Sequence, residues 1–366
     1  MLYLILATQK NIIRGDSMPK KQFFLTYMLV SALFLLNACS SGFQDEPTAN
    51  ELEEQTIAAQ TAAIANITND TAIPQPTATL NIITDTAIPQ PTTNEDPTKR
   101  TSEKDGMEMV FIPAGEFIMG WEGLDATSEI LPGPYPDFLE HTVYLNDYWI
   151  DKYEVTNGQY QLCVAEGACR PCMHNNIPPQ GTDYFTEEAY ADYPVVNVSW
   201  YMARDYCEWA GRRLPTEAQW EKAARGTDGR KYPWGNEEYS EEYANICDVN
   251  CPLAKKGNIA NPNFNDGYAG PAPIGSFPAG ASPYGTMDMA GNVWEWTSTA
   301  SELYPYDAND GREAQYDIAD GEKWPERILR GGPWNDGIGY QRSSFHYRAV
   351  AIYWNFNMGL RCAISE

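Results

Sequence analysis

Residues 327–348, RILRGGPWNDGIGYQRSSFHYR, have the composition of an active-site loop, with paired glycines, aromatic residues and spaced arginines between two apolar runs. The segment contains no cysteine and no lysine, and its single histidine is His346. Thiolates and neutral imidazoles are the groups that most often act as nucleophiles, bases or soft-metal ligands. The segment therefore raises the question of whether this chain catalyses a reaction or keeps only the framework of a catalytic site.

The N-terminal residues have the pattern of a targeting signal. Lys20 and Lys21 precede an apolar run, residues 23–36, that is too short to span a bilayer, and the run closes with Leu-Asn-Ala and Cys39. This ending resembles a bacterial lipobox, so we expect a signal peptide over 1–39, translation from Met18 and a lipid on Cys39. The chain would then be a membrane-anchored, extracytoplasmic lipoprotein of the bacterial cell envelope. An ordinary secretory peptide and a buried helix are the alternatives.

Export to an oxidising compartment predicts that the remaining cysteines form disulfides. Seven cysteines follow Cys39, so one is left over, either Cys169 or Cys172. These two also form a C-x-x-C sequence, but no βαβ pattern surrounds it, so we favour structural disulfides over a redox motif. The expected pairs are Cys163 with Cys169, Cys247 with Cys251, and Cys207 with Cys362. The last of these pairs would close a long loop, and a disulfide that closes a long loop stabilises most in the chain-entropy model.

The charge of the chain disfavours one large class of partners. The 366 residues carry a formal net charge of −25, and 43% of them are apolar. Such a surface repels polyphosphates, so nucleic-acid binding is not expected, whereas hard cations held by carboxylates and carbonyls are favoured. The apolar content is sufficient for a packed globular core.

Residues 40–105 differ from the rest of the chain. They are rich in Thr, Ala, Asn and Pro, and the sequence TAIPQPT occurs twice, at 71–77 and 86–92. Such a segment buries too little apolar surface to offset its ordering entropy, so we predict a disordered tether. Residues 106–366 show no internal break and are expected to form one domain.

Strand and helix patterns begin after Gly106. The stretches MEMVFIPAGEFIMG and HTVYLNDYWIDKYEVT alternate apolar and polar residues, as half-buried strands do. Thr156 and Ser199 are candidate N-caps of two helices, NGQYQLCV and WYMARDYCEWAG. Thr216 and Gln219 make a capping box for a third helix that ends at Gly226. The long loops that follow require ions, disulfides or buried aromatic residues to hold them in place. Because strands and helices do not alternate regularly, the predicted fold class is α+β with much irregular structure.

Seven of these segments, in order, resemble the formylglycine-generating enzyme family, also called the sulfatase-modifying-factor family. They are MVFIPAGEFIMG, DKYEVTNGQY, YPVVNVSWYMARDYCEWAGRRLPTEAQWEKAARG, YPWGNE, YGTMDMAGNVWEWT, RILRGGPW and MGLRC. The resemblance covers nearly all of residues 107–366. It implies a variant of the C-type lectin-like fold.

The resemblance also implies which positions would be catalytic. Active members use two cysteines after the RGG sequence to bind copper(I) and, with oxygen, oxidise a sulfatase cysteine to formylglycine. Only a soft sulfur ligand selects copper(I). The alignment places Asp336 and Gln341 at the two cysteine positions and Pro333 where active members usually have serine. The resemblance therefore implies that copper is not bound and that the known catalytic groups are lost.

A different metal chemistry is the alternative at this loop. Asp336 and His346 are the nearby ligands, and the chain has only two other histidines, His141 and His174, so a facial triad would require distant positions to meet. We favour the simpler interpretation that Asp336 is a turn residue before Gly337, accepting backbone hydrogen bonds, and that His346 is packed at the edge of the surface.

Two structural calcium ions are implied by the family, with ligands that suit a hard cation. The alternative for the second set is a plain Asx turn followed by an exposed glutamate. The family also implies the disulfide between Cys207 and Cys362. The first predicted ligand set is the side chain of Asn245, the carbonyl of Ile246, the carboxylate of Asp266 and the carbonyl of Tyr268. The second is Asp288, the carbonyls of Gly291 and Val293, and Glu295.

Two functions follow from these features. The first is a calcium-stabilised binding or structural module that recognises a protein, peptide or glycan. The alternative is an oxidoreductase that generates formylglycine on sulfatases or oxidises another substrate with a different metal. Four arginines are candidate substrate-binding groups, but the family pattern implies salt bridges with acids such as Glu217 and Glu221. They are Arg212, Arg213, Arg330 and Arg361.

Overall fold

The computed structural model describes residues 99–121, 139–177, 181, 183–252, 263–314 and 324–365. The predicted signal peptide, Met18, Cys39 and the tether up to residue 98 lie outside this part. The described residues form ten strands and three α-helices. None of the helices found there is long and apolar enough to cross a membrane.

Three sheets organise the described residues. The first is antiparallel with the order β1-β2-β5-β10, the second is the hairpin β3-β4, and the third has the order β8-β7-β6-β9. Strands β6 and β9 pair in parallel, whereas β7 pairs with β6 and β8 in antiparallel. The strands are β1 Lys99–Thr101, β2 Glu108–Ile112, β3 Gly115–Met119, β4 His141–Leu145, β5 Tyr148–Asp151, β6 Trp294–Ala300, β7 Glu326–Arg330, β8 His346–Val350, β9 Met358–Leu360 and β10 Ala363–Ser365.

The predicted boundary of the tether at residue 105 is wrong. Strand β1 pairs residue by residue with β2, from Lys99 opposite Val110 to Thr101 opposite Glu108. Asp105 is buried and receives a hydrogen bond of 2.6 Å from the hydroxyl of Tyr206. Backbone pairing and this buried contact order residues 99–105, although their composition is as polar as that of the tether. The ordered domain therefore includes residue 99.

The predicted helix caps are confirmed. Helices α1 (Asn157–Ala165) and α3 (Glu217–Arg225) each begin with a capping box, from Thr156 and Thr216 respectively. In both, the threonine side chain accepts from the third residue of the helix, whose glutamine side chain returns a hydrogen bond to the cap backbone. The cap at the end of α3 is Gly226, with φ +70°.

Helix α2 (Trp200–Trp209) begins at Ser199, whose side chain accepts from the backbone N–H of Met202. Its apolar residues face the largest cluster of the core, which also includes Trp296 and Leu329. Because strands and helices do not alternate along the chain, the α+β class is confirmed.

The three expected disulfides are present, and the structure decides the open choice between Cys169 and Cys172, because Cys172 is the unpaired one. The bond between Cys207 and Cys362 joins α2 to the segment between β9 and β10 across 155 residues. The bond between Cys247 and Cys251 lies in a buried cluster with Trp334, next to the loop that follows β7. The disulfides therefore fix both the centre of the domain and the surroundings of that loop.

Candidate functional site

The loop after β7 begins with two glycines at positions where any other residue type would be strained. Gly331 and Gly332 have φ angles of +97° and +71°. Trp334 is buried, and its backbone N–H donates to the carbonyl of Asn292 at 2.8 Å. The loop ends in a short 3₁₀ helix, Ile338–Gln341. Positive φ angles and a buried anchor fix the course of the loop over the end of the third sheet.

Gln341 lies inside this loop with its side chain fully buried. Its Nε2 donates to the carbonyl oxygens of Pro333 at 3.1 Å and Asp336 at 3.4 Å. The Oε1 atom is buried without a hydrogen-bond donor and faces Gly332, where a Cβ would lie only 2.2 Å away. The amide therefore holds the loop closed and presents no reactive group.

Asp336 contributes its main chain to the loop. Its carbonyl oxygen accepts from the backbone N–H of Cys247 at 3.0 Å, and its own N–H donates to Pro333. Burial raises the pKa of the Asp336 carboxyl to about 6. The turn predicted here is confirmed, but it is the carbonyl of Asp336 and not its carboxylate that accepts the backbone hydrogen bond.

The three histidines are not gathered at one site. His141 and His346 lie on either side of the Tyr304 ring, with centroid distances of 5.0 and 5.6 Å, whereas His174 packs against Trp354. In the part of the chain that the structure describes, no group of three or more His, Cys, Asp or Glu side chains is arranged to hold a metal. The described residues therefore contain no cluster that would support the facial-triad alternative.

His346 instead belongs to a buried ionic network. Its Nδ1 lies 2.7 Å from Glu217 Oε1, which also accepts from Arg330 at 2.7 Å and from the Tyr304 hydroxyl at 2.9 Å. Arg330 also donates to Glu221 at 2.8 Å. Burial opposes ionisation, but Arg330 and His346 hold the pKa of Glu217 down to about 2. This network joins α3 to β7 and β8.

The other arginines are mostly internal as well. Arg212 forms an ion pair with Asp105, and Arg361 forms one with Glu295 at 2.5 Å. Arg213 differs, because its guanidinium donates to the Leu214 carbonyl and to a serine hydroxyl. The salt bridges implied by the family pattern are thus confirmed for Arg212, Arg330 and Arg361.

The first predicted calcium set is brought together by two loops. Asp266 accepts from the backbone N–H groups of Ile246 at 3.0 Å and Tyr268 at 2.9 Å. The side chain of Asn245 is buried, and its Oδ1 has no hydrogen-bond donor. Burial, with a smaller contribution from Asp248, raises the pKa of Asp266 to about 7. A half-buried carboxyl and a buried, unpartnered amide oxygen are donors of the kind that a hard cation takes.

The second predicted set lies on one turn before and within β6. Asp288 has φ +58°, and its Oδ2 accepts from the backbone N–H of Gly275 at 2.7 Å. Glu295 is fully buried rather than exposed. Its Oε2 accepts from Trp220 and Arg361, whereas Oε1 receives one hydrogen bond, from Arg361, in the described structure. The alternative that Glu295 is an exposed residue is therefore wrong.

Glu154 is a candidate functional residue that the sequence analysis missed. It is fully buried, and its carboxylate accepts from Asn292 Nδ2 at 2.6 Å and from the backbone N–H of Val293 at 3.2 Å. Burial, together with the charges of Asp288 and Glu295, raises its pKa well above the usual range. The only sequence signal that could have indicated a functional role for Glu154 is its position directly before Val155, a residue of the core.

The comparison with protein families agrees with this architecture. Residues 93–366 match the family described as the sulfatase-modifying factor enzyme 1-like domain. The chain belongs to this family. The match begins ahead of β1, in agreement with the ordered start of the domain described above.

Members of the family that resemble this chain differ in their activities. A formylglycine-generating enzyme from Thermomonospora curvata is 35% identical over 239 residues, which cover 55% of this chain and 74% of that protein. An inactive C-alpha-formylglycine-generating enzyme 2 from Mus musculus is 32% identical over 298 residues, covering 70% and 85%. A hercynine oxygenase from Mycobacterium tuberculosis is 32% identical over 231 residues, covering 56% of this chain and 49% of that protein.

A solved structure shares the fold. PvdO from Pseudomonas aeruginosa superposes with a TM-score of 0.53 and 26% identity, covering 74% of this chain and 99% of that one. The irregular α+β fold of the formylglycine-generating enzyme type is therefore confirmed. Because named relatives include both enzymes and inactive proteins, the family alone does not assign an activity to this chain.

At both predicted calcium positions of this sulfatase-modifying-factor member, the donor types suit a hard cation, although no three of the described acidic side chains converge as metal ligands. Asn245 supplies a buried oxygen without a partner at the first position. At the second, the buried carboxyls of Glu154, Asp288 and Glu295 lie close enough to interact electrostatically, and Arg361 forms an ion pair with Glu295. Ionising all three buried carboxyls is costly unless a cation or protons compensate their charge. In the family pattern, backbone carbonyl oxygens would complete the donor set of either position.

Proposed function

We propose that this chain is a non-catalytic binding module of the sulfatase-modifying-factor family, anchored to the outer face of a bacterial membrane and stabilised by calcium. It recognises a protein or peptide with the surface around the loop that follows β7. The lipid on Cys39 and the tether that follows it hold the module at the membrane.

One observation carries the proposal. The positions where active members would hold copper are occupied by Asp336 and Gln341, and the Gln341 amide is bonded to carbonyl oxygens of its own loop. Six of the cysteines in the described residues are in disulfides, and the remaining thiol, Cys172, belongs to the segment after α1. A copper(I) site needs thiolates, and this loop supplies none.

The alternative, an oxidoreductase, is favoured by the named enzymes among the relatives. The two functions are distinguished by incubating the full chain with copper(I), oxygen and a peptide containing Cys-x-Pro-x-Arg. We expect no aldehyde product and no tight copper(I) binding. Formation of the aldehyde by the unmodified chain defeats the proposal.

A matched variant makes the negative result informative. Asp336→Cys combined with Gln341→Cys restores two sulfur ligands at the family positions. This variant is expected to bind copper(I) at least tenfold more tightly than the unmodified chain, measured by competition with a chromogenic copper(I) chelator, which is about 1.4 kcal/mol or more. Equal copper(I) affinities of the two proteins contradict the assignment of the lost site to these positions.

A further inference from the structure

A cleft of about 270 Å³ lies beside the loop that carries Asp336 and Gln341. Tyr239, Phe264 and Ile338 contribute to its walls, and Ile338 begins the 3₁₀ helix of that loop. Its volume is just below the range of roughly 300–1,000 Å³ that is usual for small-molecule sites. The cleft is therefore large enough for one long side chain and too small for an oligosaccharide.

Aromatic residues form part of the walls of the cleft, and Asn236 also lines it. The rings of Tyr239 and Phe264 meet edge to face, with centroids 4.9 Å apart. The Tyr239 hydroxyl donates to the carbonyl of Ala244 at 2.8 Å, so its hydrogen is already used. These rings offer apolar contact and negative π faces.

The cleft carries a net negative charge. Glu237 and Glu238 both line it and are exposed, and Lys231 also lines it, so two carboxylates stand against one ammonium group. The net charge of −25 adds a long-range field of the same sign. The aromatic rim already associates with a cation, because the ammonium nitrogen of Lys231 lies 5.4 Å from the centroid of the Tyr232 ring. Aromatic walls below a carboxylate rim are complementary to an apolar stem that ends in a positive charge.

We propose that this cleft binds the side chain of a lysine or arginine in an extended peptide of a partner protein. The stem of that side chain packs on Tyr239, Phe264 and Ile338, and its cationic end pairs with Glu237 and Glu238. The inference rests on the proposed function, because it names the class of ligand that the module recognises.

The test measures binding of a short fluorescein-labelled Gly/Ser peptide with one central arginine to the full chain by fluorescence anisotropy. The comparison peptide carries citrulline, which keeps the shape of arginine and removes its charge. We expect the arginine peptide to bind about tenfold more tightly, and Glu237→Gln with Glu238→Gln to remove that preference. Raising the salt concentration is expected to weaken binding of the arginine peptide alone.

A matched double variant separates local pairing from the general field. Glu241→Gln with Glu242→Gln removes the same charge from exposed positions that do not line the cleft. This variant is expected to change affinity by about twofold or less. Equal losses in the two double variants would overturn the proposal, because the general charge would then account for binding.

Two other occupants give different results, and either of them also overturns the proposal. Equal affinity for free arginine and for the peptide indicates a small amine ligand. Binding that emerges only after Lys255→Gln and Lys256→Gln indicates that the chain's own lysines, which lie outside the described residues, fill the cleft. Absence of peptide binding leaves the copper experiment unaffected, so the failure of this inference is distinct from the failure of the proposed function.

Discussion

The side-chain amide of Gln341 occupies the volume that a Cβ at Gly332 would require. A Cβ there would lie 2.2 Å from Gln341 Oε1 and 2.7 Å from the carbonyl oxygen of Tyr340. The glycine and the glutamine therefore depend on each other, and together they close the loop that follows β7.

Gly332→Ala is expected to destabilise the domain by about 2–4 kcal/mol, because φ +71° strains an L residue and the new methyl group meets the Gln341 amide. Adding Gln341→Ala to this variant should recover at least about 1 kcal/mol as a coupling energy in urea denaturation.

Gly229→Ala is the control for this variant. Gly229 has φ +73°, but a Cβ there meets no atom within 4 Å. Its substitution should therefore cost only the backbone strain, about 1 kcal/mol. Equal costs at the two glycines would show that the contact with Gln341 contributes nothing.

The buried ion pairs of Glu217 predict a specific acid sensitivity. The folded pKa is about 2, below the ordinary value of 4.5, so the pairs contribute fully above about pH 4.5 and lose their contribution as the pH falls towards 2. The loss is about 3 kcal/mol of unfolding free energy. Glu217→Gln should flatten this part of the stability profile, whereas the exposed Glu302→Gln should leave it intact; parallel profiles for all three proteins contradict the assignment.

Removal of disulfides should affect stability according to loop length. Cys207→Ala with Cys362→Ala opens a loop of 155 residues and is expected to cost about 5 kcal/mol. Cys163→Ala with Cys169→Ala opens a loop of 6 residues and should cost about 2 kcal/mol. Thermal unfolding of the two variants tests the order, which must hold if the bonds act mainly on the unfolded chain.

Cys172 is expected to be unreactive while the protein is folded. Burial raises the pKa of its thiol to about 12 from an ordinary 9.0, which lowers the thiolate fraction near neutral pH by about a thousandfold. Alkylation with iodoacetamide should therefore be slow in buffer. In denaturant, one thiol should react apart from Cys39; two or more further reactive thiols are incompatible with the three disulfides.

Chelation of calcium should lower the melting temperature, because an ion that binds only the folded state stabilises it by mass action. At a calcium concentration a hundred times Kd the effect is about 3 kcal/mol per site, or roughly 5–10 °C. Asn245→Ala should reduce the shift on chelation, whereas the exposed Asn309→Ala should not. An unchanged melting temperature on chelation argues against both sites.

The local structure follows closely from the sequence. The capping boxes at Thr156 and Thr216, and the cap at Ser199, were predictable because each depends on residues within one helical turn. The alternating strands and the two short disulfide loops follow from spacing in the same way, whereas the pairing of Cys207 with Cys362 was expected from loop closure and from the family resemblance. The start of the domain was misjudged because β1 is ordered by partners that are distant in the chain and not by its own composition.

The sequence alone determined that the loop after β7 lacks sulfur, because residue identity decides which ligands are present. Only the tertiary structure decided that Glu154 joins Asp288 and Glu295, that His141 and His346 share the Tyr304 ring while His174 packs against Trp354, and that Gln341 closes on Gly332. These relationships bring together groups from different elements, and the cost of burying a charge or a polar atom is set by neighbours that sequence spacing does not specify.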